Sequence, residues 1–273
     1  MATPHPPAER RHERAAAATG SLGLIIGILV VIVLSLLFVK FSDEVVEQEF
    51  SGFDRGVILA IHSTTTDTQS AIMLQVTNLG QYYLIFFALI TLIAGAFLVW
   101  RARRDERYAL PVALVNGAAP LVALGGAAVL SFIIKEIVGR TRPHLFPPIA
   151  PESGFSFPSG HAITSLAFYG MCAFLLARPL PAWGKAGLTL LTAILVGAIS
   201  YSRVYLGVHY PTDVIGSLIL GAAWLLALIL TVTTVENHLQ QAHLAQQQAE
   251  MKQEGPPAPL PLPEESDITI KRS

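Results

Sequence analysis

Six long apolar runs, at about 21–39, 83–100, 109–134, 160–177, 186–202 and 213–234, alternate with polar stretches along the chain. A helix crosses the hydrocarbon core of a bilayer with about 20 apolar residues, so each run predicts one membrane-spanning helix. Leu22 to Val39 carries no charge. That run is longer than the core of a cleaved signal peptide, and no small-residue cleavage site follows it, so a retained helix is expected. In the third run Pro111, Asn116 and Pro120 predict a kink or tilt. Gly125-Gly126-Ala127-Ala128 offers a surface that another helix can approach closely. Between the first two runs, 41–82 starts acidic, with Asp43, Glu44, Glu47 and Glu49. Phe53-Asp54-Arg55-Gly56 through Ile61, and Ala71-Ile72-Met73-Leu74 through Leu79, have the pattern of short amphipathic helices. They form either a rim over a site or a plain connection.

The expected fold is all-α: a six-transmembrane-helix bundle with short interfacial helices on the extracytoplasmic side. Residues 21–234 are the membrane domain, with 41–82 as its extracytoplasmic segment. Residues 1–20, rich in Ala, Pro and Arg, are expected to be disordered. Residues 235–273 form a polar tail in which Glu236 to Glu254 extends the last helix and Gly255 to Pro263, rich in proline, is extended. No internal repeat is visible.

Composition agrees with a membrane domain. The 273 residues are 52% hydrophobic and 14% charged, with mean hydropathy +0.54, against about 25% charged in soluble domains. A net charge of -1 gives no ground for nucleic acid as a partner. The single cysteine, Cys172, excludes an intrachain disulfide and reads as a packing residue. The basic residues set the orientation. Arg10, Arg11 and Arg14, then Arg101, Arg103, Arg104 and Arg107, then Arg178 and Lys185, then Lys252, Lys271 and Arg272 all fall on one side of a six-helix arrangement. That side is therefore expected to be cytoplasmic, with both termini in it. Lys40, Arg55, Lys135, Arg140, Arg142 and Arg203 fall on the other.

Three polar clusters at the ends of apolar runs reach this second face: Lys135 with Arg142-Pro143; Pro158-Ser159-Gly160-His161; and Ser202-Arg203 with His209 and Asp213. A phosphoryl group in transfer spreads charge over its equatorial oxygens, so cations and donors in fixed positions supply most of what catalysis needs. Lys135 is a point charge, and Arg142 and Arg203 are planar forks matched to phosphate oxygens. Ser159 and Gly160 open a helix whose free N–H groups suit an anion. Asp213, four residues after His209 and one helical turn away, can hold one ring nitrogen so that the other attacks. His209 is thus the candidate nucleophile, and His161 the candidate general acid and later base. Arg140 and His144 read as loop or rim residues, with headgroup contact as the alternative. His62 and His238 have no partner at a suggestive spacing. His and Asp are also metal ligands, but three surrounding cations would repel a divalent ion, so no metal and no cofactor are expected. A channel is disfavoured because the ionisable groups gather at one face instead of lining a path.

These clusters resemble the signature of the type 2 phosphatidic acid phosphatase superfamily, which includes lipid phosphate phosphatases and the vanadium haloperoxidases. The resemblance covers about 83–234. It implies a phosphohistidine on His209, His161 as acid and base, and Asp213 orienting His209. It also implies phosphate binding by Lys135, Arg142, Ser159, Gly160 and Arg203, without metal. The haloperoxidase branch is soluble, unlike this chain. The expected activity is hydrolysis of a lipid phosphate or diphosphate ester, with undecaprenyl diphosphate, phosphatidate and phosphatidylglycerophosphate as candidates. The alternatives are a phosphotransferase with a lipid or sugar hydroxyl as acceptor, and a non-catalytic membrane scaffold.

Overall fold

The computed structural model describes residues 7–104, 110–150 and 152–254, with side chains between 22 and 249. The described residues form eight helices and no strand: α1 (Pro7–Val46), α2 (Ser51–His62), α3 (Asp67–Asn78), α4 (Tyr82–Arg104), α5 (Leu110–Val138), α6 (Gly160–Ala177), α7 (Ala182–Tyr205) and α8 (Pro211–Glu254). Six segments are long and apolar enough to cross a membrane, one for each predicted run. The helices overrun the apolar runs because helical hydrogen bonding continues past the hydrocarbon wherever propensity allows. α8 carries on through Glu236 to Glu254, as expected.

α1 starts at Pro7, inside the stretch 1–20 expected to be disordered. Proline suits the first helical position, and the Ala, Arg and Glu that follow are good helix formers joined to a helix already nucleated by the membrane segment. Residues 1–6, Arg107, and the Pro-rich stretch from Gly255 with Lys271 and Arg272 lie outside the described residues.

α5, α6 and α8 make the centre of the bundle around Ala119, Ala123, Ala127, Ile163, Ala167 and Met171. The small residues let backbones approach, which is how helices gain contact where lipid is as apolar as leucine. At Gly126 a Cβ would lie 2.1 Å from the Trp224 ring, and the Trp224 indole N–H donates to Ala123 O at 3.0 Å. α5 runs unbroken through Pro120. Outward faces remain apolar, with Ile137, Phe132 and Ile93 exposed, as a lipid-facing surface requires. Arg178 ties the far end together by donating to Asn116 and Glu236, each at 2.9 Å.

The 41–82 segment supplies α2 and α3. Thr66 caps α3 by accepting from Gln69 N at 3.3 Å. Both helices pack where α7 ends and α8 begins, α2 on each and α3 on α7. They cover the end of the bundle that carries the three clusters.

Candidate active site

α5 ends at Gly139, whose φ of +63° favours glycine, and Gly139 N closes on Lys135 O at 2.9 Å. The chain then leaves the helix with Arg140 and Arg142 on a loop that returns at Ser159 to start α6. α7 delivers Arg203 in its last turn, and α8 delivers Asp213 in its first. His209 lies before α8, so the expected one-turn helical spacing is replaced by a turn. The side chains still meet, with His209 Nδ1 3.3 Å from Asp213 Oδ2. Tyr210 N donates to the same oxygen at 2.8 Å, so the turn is folded around the carboxylate.

Partners fix the His209 tautomer. Asp213 accepts at Nδ1, so Nδ1 carries the proton. Arg142 Nη1 lies 3.3 Å from Nε2 and has no acceptor to offer, so Nε2 carries the lone pair. Burial pushes the His209 imidazole down to about 4; the hydrogen bond and charge of Asp213 oppose this, while Arg203 and Arg142 reinforce it. His209 is therefore a neutral imidazole across the physiological range, with its free nitrogen facing the cation cluster.

Arg142 is held by carbonyls, donating to Val208 O at 2.9 Å, Ser153 O at 3.0 Å and Gly154 O at 3.1 Å. Lys135 Nζ donates to Phe155 O. Arg203 is 1% exposed and donates to Thr77 Oγ1 of α3 at 2.5 Å. An acidic residue absent from the sequence reading, Glu152, bridges the two arginines: one oxygen pairs with Arg203 and the other lies 3.2 Å from Arg142. Burial would raise the Glu152 carboxyl, but the charge and hydrogen bond of Arg203 hold it below its ordinary value. Ser159 Oγ, His161 Nε2 and Arg203 Nε are buried without a hydrogen-bond partner among the described residues. A cleft of about 440 Å³ opens beside them, lined in part by Thr77, Asn78, Gln81 and Glu152.

The structure thus gathers Lys135, Arg142, Ser159, Gly160, His161, Arg203, His209 and Asp213 at one end of the bundle. Arg140 lies on a loop, within the expected loop or rim placement, and its side chain is bound to buried carboxylates. Arg140 donates to Asp213 Oδ1 at 2.6 Å and to Asp54 Oδ2 at 2.7 Å. Asp54 is fully buried. A signal for it existed: Phe50, Asp54, Ile58 and Ile61 follow helical spacing, so Asp54 stands on the apolar stripe of α2. His62 stacks on Phe146 with ring centroids 3.5 Å apart, a packing role. Thr77 and Glu152 had no local signal. Among the described residues, no group of three or more His, Cys, Asp or Glu is placed to hold a metal ion.

Residues 116–236 match the model of the PAP2 superfamily, a stretch that contains all eight gathered residues. The chain is 37% identical over 108 residues to phosphatidylglycerophosphatase B of Bacillus subtilis, covering 39% of this chain and 53% of that protein. It is 33% identical over 112 residues to an undecaprenyl-diphosphatase of Sulfolobus acidocaldarius, covering 36% and 50%. With lipid A 1-phosphatase of Rhizobium johnstonii it shares 32% over 151 residues, covering 51% and 58%. The chain thus spans between half and three fifths of the length of these curated relatives. The crystal structure of a transmembrane PAP2-type phosphatidylglycerolphosphate phosphatase from Bacillus subtilis superposes with a TM-score of 0.63 at 27% identity, covering 76% of this chain and 96% of that one. With six apolar helices and these relatives, the chain is an integral membrane protein.

Proposed function

We propose that the chain, whose residues 116–236 match the PAP2 superfamily model, is a lipid phosphatase of that kind working through a covalent phosphohistidine. The observation that carries the reading is Glu152: a carboxylate held between Arg142 and Arg203, so the cluster already coordinates an oxyanion beside an imidazole lone pair. In the reaction a substrate phosphoryl group takes that place. Lys135, Arg142 and Arg203 balance its charge, and Ser159 Oγ and Arg203 Nε, unpartnered in the protein alone, donate to it. The N–H groups at the start of α6 add donors.

His209 Nε2 attacks phosphorus, the P–O ester bond breaks, and His161 gives its proton to the leaving oxygen. Asp213 stabilises the imidazolium character that develops on His209. In the second half His161 takes a proton from water, the water oxygen bonds to phosphorus, and the P–N bond breaks to release inorganic phosphate and neutral His209. The charge balance is met by side chains, so the proposed reaction needs no metal.

The site end of the bundle lies opposite Arg101, Arg103, Arg104, Arg178 and Lys185. The bias of basic residues toward the cytoplasm therefore supports an extracytoplasmic site with both termini inside. The lipid tail then stays in the bilayer while the headgroup enters at the boundary. Undecaprenyl diphosphate, phosphatidylglycerophosphate and phosphatidate are the candidate substrates, the first favoured by exposure on the outer leaflet. The test is phosphate release from these three by detergent-purified protein in excess EDTA, with His209→Ala as control. Release that survives EDTA and disappears in the variant is expected. Release from none of them, with folded protein verified, would count against hydrolysis and turn attention to a transferase that needs an acceptor.

A further inference from the structure

We propose that Arg140 and Asp54 are positioning residues for the reaction at His209, forming a buried latch that holds Asp213 and ties α2 to the nucleophile. The inference rests on the reading of His209 as nucleophile. Asp213 faces His209 and Tyr210 N through Oδ2, and Arg140 through Oδ1. The other arm of the Arg140 fork holds Asp54 Oδ2 at 2.7 Å. Thr212 closes the ring. Its N–H donates to Asp54 Oδ1 at 3.1 Å and its hydroxyl to Oδ2 at 2.6 Å, while the same hydroxyl accepts from Arg140 at 2.8 Å. The guanidinium lies 4.1 Å over the Tyr210 ring, and Ser156 N donates to Arg140 O at 2.8 Å.

Two fully buried carboxylates on separate helices are tolerated only with a cation and a full set of donors between them. A single forked cation supplies both arms, which one ammonium cannot do. Asp213 therefore has one orientation, and its oxygen sets the His209 tautomer. α2 becomes part of the machinery through Asp54, although Asp54 lies outside the matched stretch 116–236.

Charge gives a readout that a packing role lacks. The ionisable groups around His209 and Asp213 are Lys135 on α5, Arg142 and Glu152 on the following loop, His161 on α6 and Arg203 on α7, with Arg140 and Asp54 behind. Removing the Arg140 cation favours imidazolium at His209. The pH at which the neutral nucleophile is lost then rises, and the acid limb of kcat/KM moves up with it.

The experiment uses the full chain in detergent with the fastest of the three candidate lipids. Arg140→Gln is expected to lower kcat about 10- to 100-fold, as loss of an outer-shell partner does, with KM little changed and the acid limb moved up. Arg140→Lys keeps the charge and loses the fork, so kcat falls while the limb stays near wild type. Asp54→Asn lowers kcat, and Arg55→Gln, exposed one residue away, is silent. A cavity of about 550 Å³ borders Arg140, so added guanidinium ion is expected to restore part of the activity of Arg140→Ala. Should the Gln or Ala variant fail to fold, Arg140→Lys and Asp54→Asn decide. Wild-type kcat and limb in both of these overturn the latch. Activity surviving in His209→Ala overturns instead the reading of the nucleophile on which the latch rests.

Discussion

Asp213→Asn is the substitution whose consequence the geometry specifies most tightly. The carboxylate accepts on both oxygens: Oδ1 from Arg140 at 2.6 Å, and Oδ2 from Tyr210 N at 2.8 Å and His209 Nδ1 at 3.3 Å. An amide has one acceptor oxygen and one donor NH₂. With its oxygen toward Arg140, the NH₂ meets the Tyr210 N–H and forces His209 to accept at Nδ1, which moves the ring proton to Nε2 and blocks the lone pair that attacks. With its oxygen toward His209, the NH₂ meets the Arg140 guanidinium in a fully buried setting. The smaller loss is that of one charge-assisted hydrogen bond, about 1.5–3 kcal/mol, or about 10- to 150-fold in rate. The larger is that of a wrong tautomer in a triad, about 10⁴-fold. The kcat is therefore expected to fall by about 10- to 10⁴-fold with KM nearly unchanged, because the phosphate-binding cations are untouched. The loss stays smaller than that of His209→Ala, which removes the nucleophile. Steady-state phosphate release in detergent micelles measures it. Asp213→Asn turning over at the wild-type rate would refute the orienting role.

Three further outcomes follow from the same geometry. Since burial sets His209 near 4 and the neutral ring attacks, lowering pH should abolish kcat/KM only as it falls through about 4; a limb near ~6.5 would contradict the buried, cation-flanked site. Arg203→Lys should remain impaired despite its charge, because a compact ammonium does not reproduce the fork that reaches Thr77 and the anion from separate nitrogens; kinetics equal to wild type would show that the fork is dispensable. Vanadate, which can take the five-coordinate shape of the transferring group, should inhibit, and Glu152→Gln should tighten it about tenfold, or ~1.4 kcal/mol, by removing the carboxylate that competes for Arg142 and Arg203. Unchanged inhibition in that variant would show that Glu152 does not compete.

The spans and three clusters were legible because membrane segments have a long, one-dimensional signature and charges at their ends stand out against it. The meeting of His209 with Asp213 was also legible, though a turn produces it and not a helical face. The inward pairing of Arg140 was not legible because its partners, Asp54 and Asp213, lie 86 and 73 residues away, and no local period reports such a contact. Glu152 and Thr77 were hidden for the same reason: each becomes part of the site only through Arg203, 51 and 126 residues distant. Asp54 differs, since a carboxylate on the apolar stripe of α2 is a local anomaly that asks for a buried cation.

The central claim is that the phosphoryl group resides on His209 during turnover. Rapid quench of the protein with a ³²P-labelled lipid phosphate, followed by peptide mapping, tests this most directly. Acid-labile, base-stable label is expected on the peptide containing His209 and is expected to be absent from His209→Ala. Label on another residue, or full turnover with no protein-bound label under conditions that trap a known phosphohistidine, would contradict it.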